Sequence, residues 1–395
     1  MTAVAPARTH GAVPFWRDVR VLRVVAQVVV VLLVAALLAW MASNMLGTMN
    51  ERGLGFGFSF LGRQAGFGIS ESPIPYDPAD TYLTAFLVGL GNTLIVSFLG
   101  IILATIVGII VGVARLSPNW LLNRVAAAYV EFFRNTPLLV QLLLLYFAVF
   151  LQLPAIAESF AIGDLAFLNQ RGVYLPAPQA TSGAPVWIGF IVAGIALALL
   201  ARAIARRRED HGLPSYRLRS IGSLGILVLA AVGWFVAGGE PVVFDVPIRE
   251  RFNFQGGLRM SPQFAALLIG LVLYTAAFIG EVVRGGIQAV RRGQLEASRA
   301  LGFSEMQCLQ LVIFPQALRI IVPPLTSQYL NLTKNSSLAI AIGYPDLFRI
   351  GQTMANQTGQ PVPVIILIMG TYLAISLVTS LLMNIYNRRV QVAER

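Results

Sequence analysis

With 395 residues, 56% of them apolar and only 12% charged, the chain holds more apolar side chain than one water-soluble core can enclose. The apolar residues fall in blocks of about 20 to 25, the length an α-helix needs to cross roughly 30 Å of hydrocarbon. The formal net charge of +11 does not point to nucleic acid, because the arginines gather in alternate segments and not on one face.

The first apolar block, 24–46, follows Arg17, Arg20 and Arg23. A cleaved leader has a similar basic start but a shorter apolar run, so this block reads as a retained first helix. Further spans are expected at 83–114, 129–151, 187–205, 221–237, 262–283, 315–343 and 361–386, giving about eight in an all-α polytopic membrane protein. The second and the seventh are too long for one straight helix, so their ends or middles must be something else.

Twenty arginines fall in the segments assigned to the cytoplasm. Seven (Arg52, Arg63, Arg171, Arg249, Arg251, Arg259 and Arg349) fall outside, and Arg319 is borderline. That bias places both termini in the cytoplasm. The outer segments 47–80, 153–185 and 238–261, rich in Gly, Pro and aromatics, read as ordered loops on the outer face. Cys308 stands alone, so no intrachain disulfide forms, and His10 and His211 are far apart in polar segments, which argues against a histidine metal site or triad. A phosphate-cradling Gly-x-x-x-x-Gly-Lys-Ser/Thr loop is absent, so any ATP must be handled by another chain.

The most informative stretch is 281–324. Helix formers run over 294–301, Gly302 sits where a helix end wants a left-handed residue, and Ser304 restarts the chain with Gln307 as its capping-box partner. Pro315 follows, where the backbone is expected to turn into the bilayer. The small residues Ala297, Ser298 and Ala300 let a second surface approach the backbone, and Glu296 offers a directional charge. The residues alone leave two readings open: a docking element, or an amphipathic loop packed on the protein's own underside.

Glu296-Ala297-Ser298, Gly302, Val312 and Phe314-Pro315 at this spacing resemble the EAA loop of bacterial ABC import permeases. Ser298 replaces the usual second alanine, and Phe314 stands where leucine is common. The resemblance implies that Glu296, Ala297, Ser298, Gly302 and Pro315 belong to a coupling helix seated in a groove of an ATPase subunit. YVEFFRNTPLLVQ at 129–141 and Gly91-Asn92-Thr93-Leu94 resemble polar amino-acid permeases. Lys334-Asn335-Ser336-Ser337-Leu338 and Gly343-Tyr344-Pro345-Asp346-Leu347 are most like the general L-amino acid permeases, and the extra first helix and the pair 187–205 and 221–237 resemble the longer of the two permeases in those systems. Together the matches cover about half the chain.

The resemblance implies a type I importer core of five helices, interrupted by an inserted pair. The expected division is 1–82 (cytoplasmic tail, first helix, outer loop), 83–152 (first part of the core), 153–261 (insertion), 262–387 (second part of the core with the EAA loop) and 388–395 (cytoplasmic tail). It also implies a bacterial inner-membrane location, a second permease subunit, two ATPase subunits that use ATP and Mg, and a soluble periplasmic binding protein. No nucleic acid is expected as a partner and no cofactor on this chain.

Polar groups inside hydrocarbon tend to face a pore or a partner helix. Asn331, Lys334, Asn335, Ser336 and Ser337 follow Pro323-Pro324, a pair expected to break the helix, and broken helices beside polar side chains build transport sites. Alternatively this segment emerges early and Lys334 is solvated. Asn92, Thr93 and Gln141 either line the same path or bond spans together, and Arg134 is expected to pair with Glu131. Rival readings are an importer permease for another small solute, or an ion-driven secondary transporter, which would usually place carboxylates in mid-span. A membrane-embedded enzyme would need convergent catalytic groups that the sequence does not display.

Overall fold

A helix that is apolar on every side suits lipid, and α1 (Val19–Glu51) is such a helix, with its large apolar side chains exposed. The computed structural model describes residues 19–51, 57–163, 165–210, 216–250 and 253–390. The tail before Val19, residues 391–395, His10 and His211 lie outside the described residues.

The second span, expected to be something other than helix at its ends or middle, is one continuous helix, α2 (Tyr82–Ala114, 33 residues). At 1.5 Å per residue it runs about 50 Å, well beyond the hydrocarbon thickness. Both ends are held by protein. Tyr82, Ala85 and Phe86 join a buried cluster with Phe60, Leu347 and Met354, and Arg115, just past the other end, pairs with Glu281.

The third span departs from the expected straight helix over 129–151. Instead α3 (Trp120–Asn135) and the helix that begins with α4 (Leu138–Leu143) meet at 103°. Pro137 disfavours helical backbone at the preceding residue, and Thr136 is extended with ψ 128°. Beyond α4 the helix widens to a π-helical stretch, Leu144–Val149, and ends in a 3-10 turn, Phe150–Gln152.

The segments expected as ordered loops on the outer face contain short strands. β1 (Phe160–Ile162), β2 (Ala166–Asn169) and β3 (Gly172–Leu175) pair antiparallel. After β4 (Ala177–Ala180) the chain enters the inserted helical pair, α5 (Ala184–Asp210) and α6 (Tyr216–Val236). These pack antiparallel on one another through Gly194, Gly222 and Gly233, which face Ile226, Ala201 and Phe190. The return chain forms β5 (Val242–Asp245) against β4, then β6 (Ile248–Arg249) with β7 (Phe254–Gln255), and finally β8 (Leu258–Met260) against β3. Alternation along β2 and β3 buries Phe167 and Tyr174 against Phe254, a strand pattern too short to stand out among apolar runs.

Ser261 caps α7 (Pro262–Gln288), accepting the Phe264 N–H at 3.0 Å. α8 (Arg292–Ala300) and α9 (Glu305–Gln307) follow, and then α10 (Phe314–Asn335). The turn expected at Pro315 does not form: a π-helical stretch, Cys308–Ile313, carries α9 straight into α10. The wider turn accommodates the proline, which has no N–H to donate and would crowd the preceding turn. Nor does Pro323-Pro324 break α10; the helix narrows only at Ser336–Ile342, a 3-10 stretch closed by Gly343 at φ +82°. α11 (Leu347–Thr358) and α12 (Pro361–Val390) complete the chain.

Among the described residues six helices are long and apolar enough to cross a membrane, or seven with the bent pair. The expected eight requires counting α6 as well, whose apolar part, Ser220–Val236, is shorter. The core is a parallel seam of α2 and α7. Gly108 lies against Ala276 and Ile279, and Gly112 against Gly280 and Val283, so small residues bring the two backbones together. α10 runs antiparallel across both, with Leu332 at Gly100 and Ile321 at Gly286.

Candidate functional site: a coupling loop and a polar helix face

The loop between α7 and α10 is fixed by local capping. Gly302 adopts φ +82°. Its N–H donates to the Arg299 carbonyl at 2.9 Å, and the Phe303 N–H to the Ser298 carbonyl at 3.2 Å. This is the paired bonding of a Schellman ending. Ser304 and Gln307 form the reciprocal capping box that the sequence predicts. Arg299 then clamps the two arms with two bonds to Glu305, at 2.8 and 3.0 Å.

Ser298 is not part of the outward surface. It is buried, and its hydroxyl donates to the Leu295 carbonyl at 2.8 Å and contacts the Cys308 sulfur at 3.0 Å. The hydroxyl that departs from alanine therefore ties α8 to the π-helical stretch. Glu296, Ala297 and Gly302 are exposed. Beside them, Leu301 at 75% and Met306 at 61% exposure form an apolar tip, with Phe303 also exposed between them. Pro315 is also exposed, at the first turn of α10.

A second grouping lies on α10. Ser327, Gln328, Asn331, Lys334 and Asn335 recur at helical spacing on one face, with Ser327, Asn331 and Lys334 exposed. Gln328, Asn331 and Asn335, with Tyr274, Thr275 and Phe278 of α7, line a pocket of about 240 Å³. The Arg134 guanidinium sits 5.2 Å from the centre of the Phe278 ring, a cation–π contact in place of the expected pair with Glu131. Ser336 and Ser337 lie apart from the pocket lining, donating back to the carbonyls of Thr333 and Lys334 at 2.7 Å.

The remaining residues assigned to the path are buried and bonded elsewhere. Asn92 donates to the carbonyls of Glu71 and Pro345, both at 2.9 Å, and Thr93 accepts the Leu347 N–H at 3.0 Å. Gln141 donates to the carbonyls of Phe133 and Thr136 at 3.0 and 2.9 Å, pinning the bend at Pro137. Asn92 and Thr93 hold Asp346 at the start of α11. There Asp346 accepts the Arg349 N–H at 2.9 Å and the Tyr372 hydroxyl at 3.4 Å. Burial, partly offset by these bonds, pushes the Asp346 carboxyl up to about 7. Both segments stood out in the sequence as motifs, but nothing in it joined them, because the bonded partners lie some 250 residues apart.

At the loop end of the α2–α7 seam, Glu281 accepts from both Arg115 and Arg284, the latter one turn further along α7.

Residues 216–392 match the family described as the binding-protein-dependent transport system inner membrane component. YhdX of Escherichia coli strain K12, named as an amino-acid ABC transporter permease, is 46% identical over 93% of this chain and 94% of its own. The general L-amino acid transport system permease AapQ of Rhizobium johnstonii is 41% identical over 93% of this chain and 92% of its own. BztB of Rhodobacter capsulatus, a glutamate/glutamine/aspartate/asparagine transport system permease, is 42% identical over 96% of each chain. With helices built to span a membrane and a similarity to these permeases that runs nearly end to end, the chain belongs to the amino-acid ABC transporter permeases, multi-pass components of the inner membrane.

Proposed function

We propose that this chain forms one half of an importer's translocation pore for polar or general L-amino acids, and that the exposed polar face of α10 lines the path. The supporting observation is the position of Ser327, Asn331 and Lys334, which are exposed on a membrane-spanning helix. Lipid is a poor environment for such a row, and a water-filled path shared with a second subunit is a good one. Lys334 then supplies the positive charge that meets a substrate carboxylate. The breadth of amino acids in the names of AapQ and BztB supports a general cargo.

The second half of the pore is another permease, identical or similar. Two separate ATPase chains, using ATP and Mg, seat the α8 loop through Glu296, Ala297, Leu301 and Gly302, and a soluble binding protein delivers substrate on the opposite side. This arrangement puts both termini and the α8 loop in the cytoplasm. It divides the chain into the core parts 83–152 and 262–387, the insertion 153–261 and the flanking segments 1–82 and 388–395. This chain moves and carries out no covalent step.

The test uses the assembled, transporting complex with Cys308→Ala as background. A single cysteine at Ala297 or Leu301 is expected to crosslink to the ATPase, and one at Asn331 to the second permease. Crosslinks from Leu301 that never reach a nucleotide-hydrolysing chain would overturn the coupling role. An Asn331 cysteine modified only by lipid-phase reagents would overturn the path.

A further inference from the structure

α2, α4, α7, α10 and α12 carry a single carboxylate between them, Glu281. An ionisable group within spanning helices is costly and is held where a partner satisfies it. Glu281 has two partners of different kinds. Arg284 lies one turn away on the same helix and bonds it through Nε at 3.1 Å and through Nη2. Arg115 belongs to the end of α2 and bonds the other carboxylate oxygen. Arg284 alone neutralises the carboxylate, so the bond from α2 is surplus to charge balance. What it adds is a tie between two helices.

The position of that tie is informative. It lies at the end of the seam where the backbones are closest: a methyl group on Gly112 would stand 2.7 Å from the Gly280 carbonyl oxygen. Beyond Glu281, α7 continues for about two turns to Gln288 and then enters the α8 loop. On the other side, the Arg115 carbonyl accepts the Asn123 amide at 2.6 Å, so α3 hangs from the same point. A displacement of the loop reaches α7 at one end and α10 at the other, and Arg115 is the polar link through which α2 and α3 follow α7.

We propose that the Arg115–Glu281 bridge is a transmission strut, with Arg115 and Glu281 as positioning residues that make α2, α3 and α7 move as one body when the α8 loop is pushed. The inference rests on the importer reading given above. Its signature is loss of coupling between hydrolysis and transport, which a merely stabilising ion pair would not produce.

The test compares R115Q with R284Q in the complete complex in liposomes, reading amino-acid uptake per ATP hydrolysed alongside thermal stability. R115Q leaves Glu281 paired with Arg284 and removes only the tie to α2. Uptake per ATP is expected to fall about five- to tenfold, the lower part of the range for coupling between distant sites. R284Q keeps the tie and is expected to stay within about twofold of wild type on the same scale. A charge exchange, R115E with E281R, is expected to recover part of the loss. Unchanged uptake per ATP in R115Q overturns the strut, as does an equal loss in R115Q and R284Q. A wild-type complex that hydrolyses ATP yet takes up no amino acid would overturn the importer reading instead.

Discussion

Substituting Gly302 tests the proposed coupling loop at its most demanding backbone position. The residue has φ +82°, and a Cβ built there meets nothing within 4 Å, so the cost of Gly302→Ala is conformational and not steric crowding by neighbours. For an L-residue other than Gly or Asn the left-handed conformation costs about 1–2 kcal/mol. If the residue relaxes to negative φ, the bonds from Gly302 to Arg299 and from Phe303 to Ser298 are lost, each worth about 1 kcal/mol. Either route lowers the ratio of ordered to disordered loop by roughly 5- to 30-fold. Hydrogen exchange at the Phe303 amide should accelerate accordingly, and ATP-driven uptake should drop with little change in the thermal midpoint of the membrane core. Gly302→Asn should retain most of both, because asparagine enters the left-handed region more readily. If the alanine variant keeps wild-type exchange at Phe303, or asparagine is no milder than alanine, the argument from backbone geometry fails.

Lys334→Ala is expected to reduce uptake while leaving insertion and thermal stability unchanged; normal uptake removes Lys334 from the path. Gln141→Leu leaves the carbonyls of Phe133 and Thr136 without their donor, at a cost of about 2 kcal/mol. It should lower the melting temperature of the purified protein while leaving KM for uptake unaltered. Gly108→Ala places a methyl 2.5 Å from Ile279 Cγ2 and should cost about 1–3 kcal/mol in thermal unfolding. Gly370→Ala, with nothing within 4 Å, should be neutral or slightly stabilising. Asp346 titrates near 7 when folded against an ordinary 3.8, so its neutral form favours the fold. That contribution is complete below about 4 and is lost as pH rises through 7, at most about 4 kcal/mol. Asp346→Asn keeps an acceptor for the Arg349 N–H without the charge. The wild type should therefore lose stability relative to this variant between pH 5 and pH 8.

What could be read from the sequence was local. Gly302, Ser304 and Gln307 dictate their turn through bonds spanning three to five residues, and the structure reproduces it. Pro137 was visible as well, but the apolar run around it suggested a continuous span, and only the corner bonds of Gln141 show how sharply the chain bends. Ser298 pointed outward by analogy with a small surface residue. Its burial against Cys308 follows from the Gly302 turn and the Ser304 cap, which fold α9 back beside α8. The strands escaped notice because two to four residues are too few for alternation to register.

The polar residues of the spanning region divide by how their bonding is satisfied, and this division predicts how they respond to change. Asn92, Thr93 and Gln141 are buried and bond backbone from another segment or across a bend, so each is a clamp whose loss should be read in stability. Gln328, Asn331 and Asn335 instead face a pocket. Exposed or pocket-facing amides cost a membrane helix free energy unless water or a solute reaches them. On the proposed importer reading, this face of α10 meets something polar during the transport cycle, while the adjoining face packs Ile321, Leu325 and Leu332 into the core. Removing a clamp should therefore destabilise the fold, and removing a pocket amide should change transport in a protein that still folds.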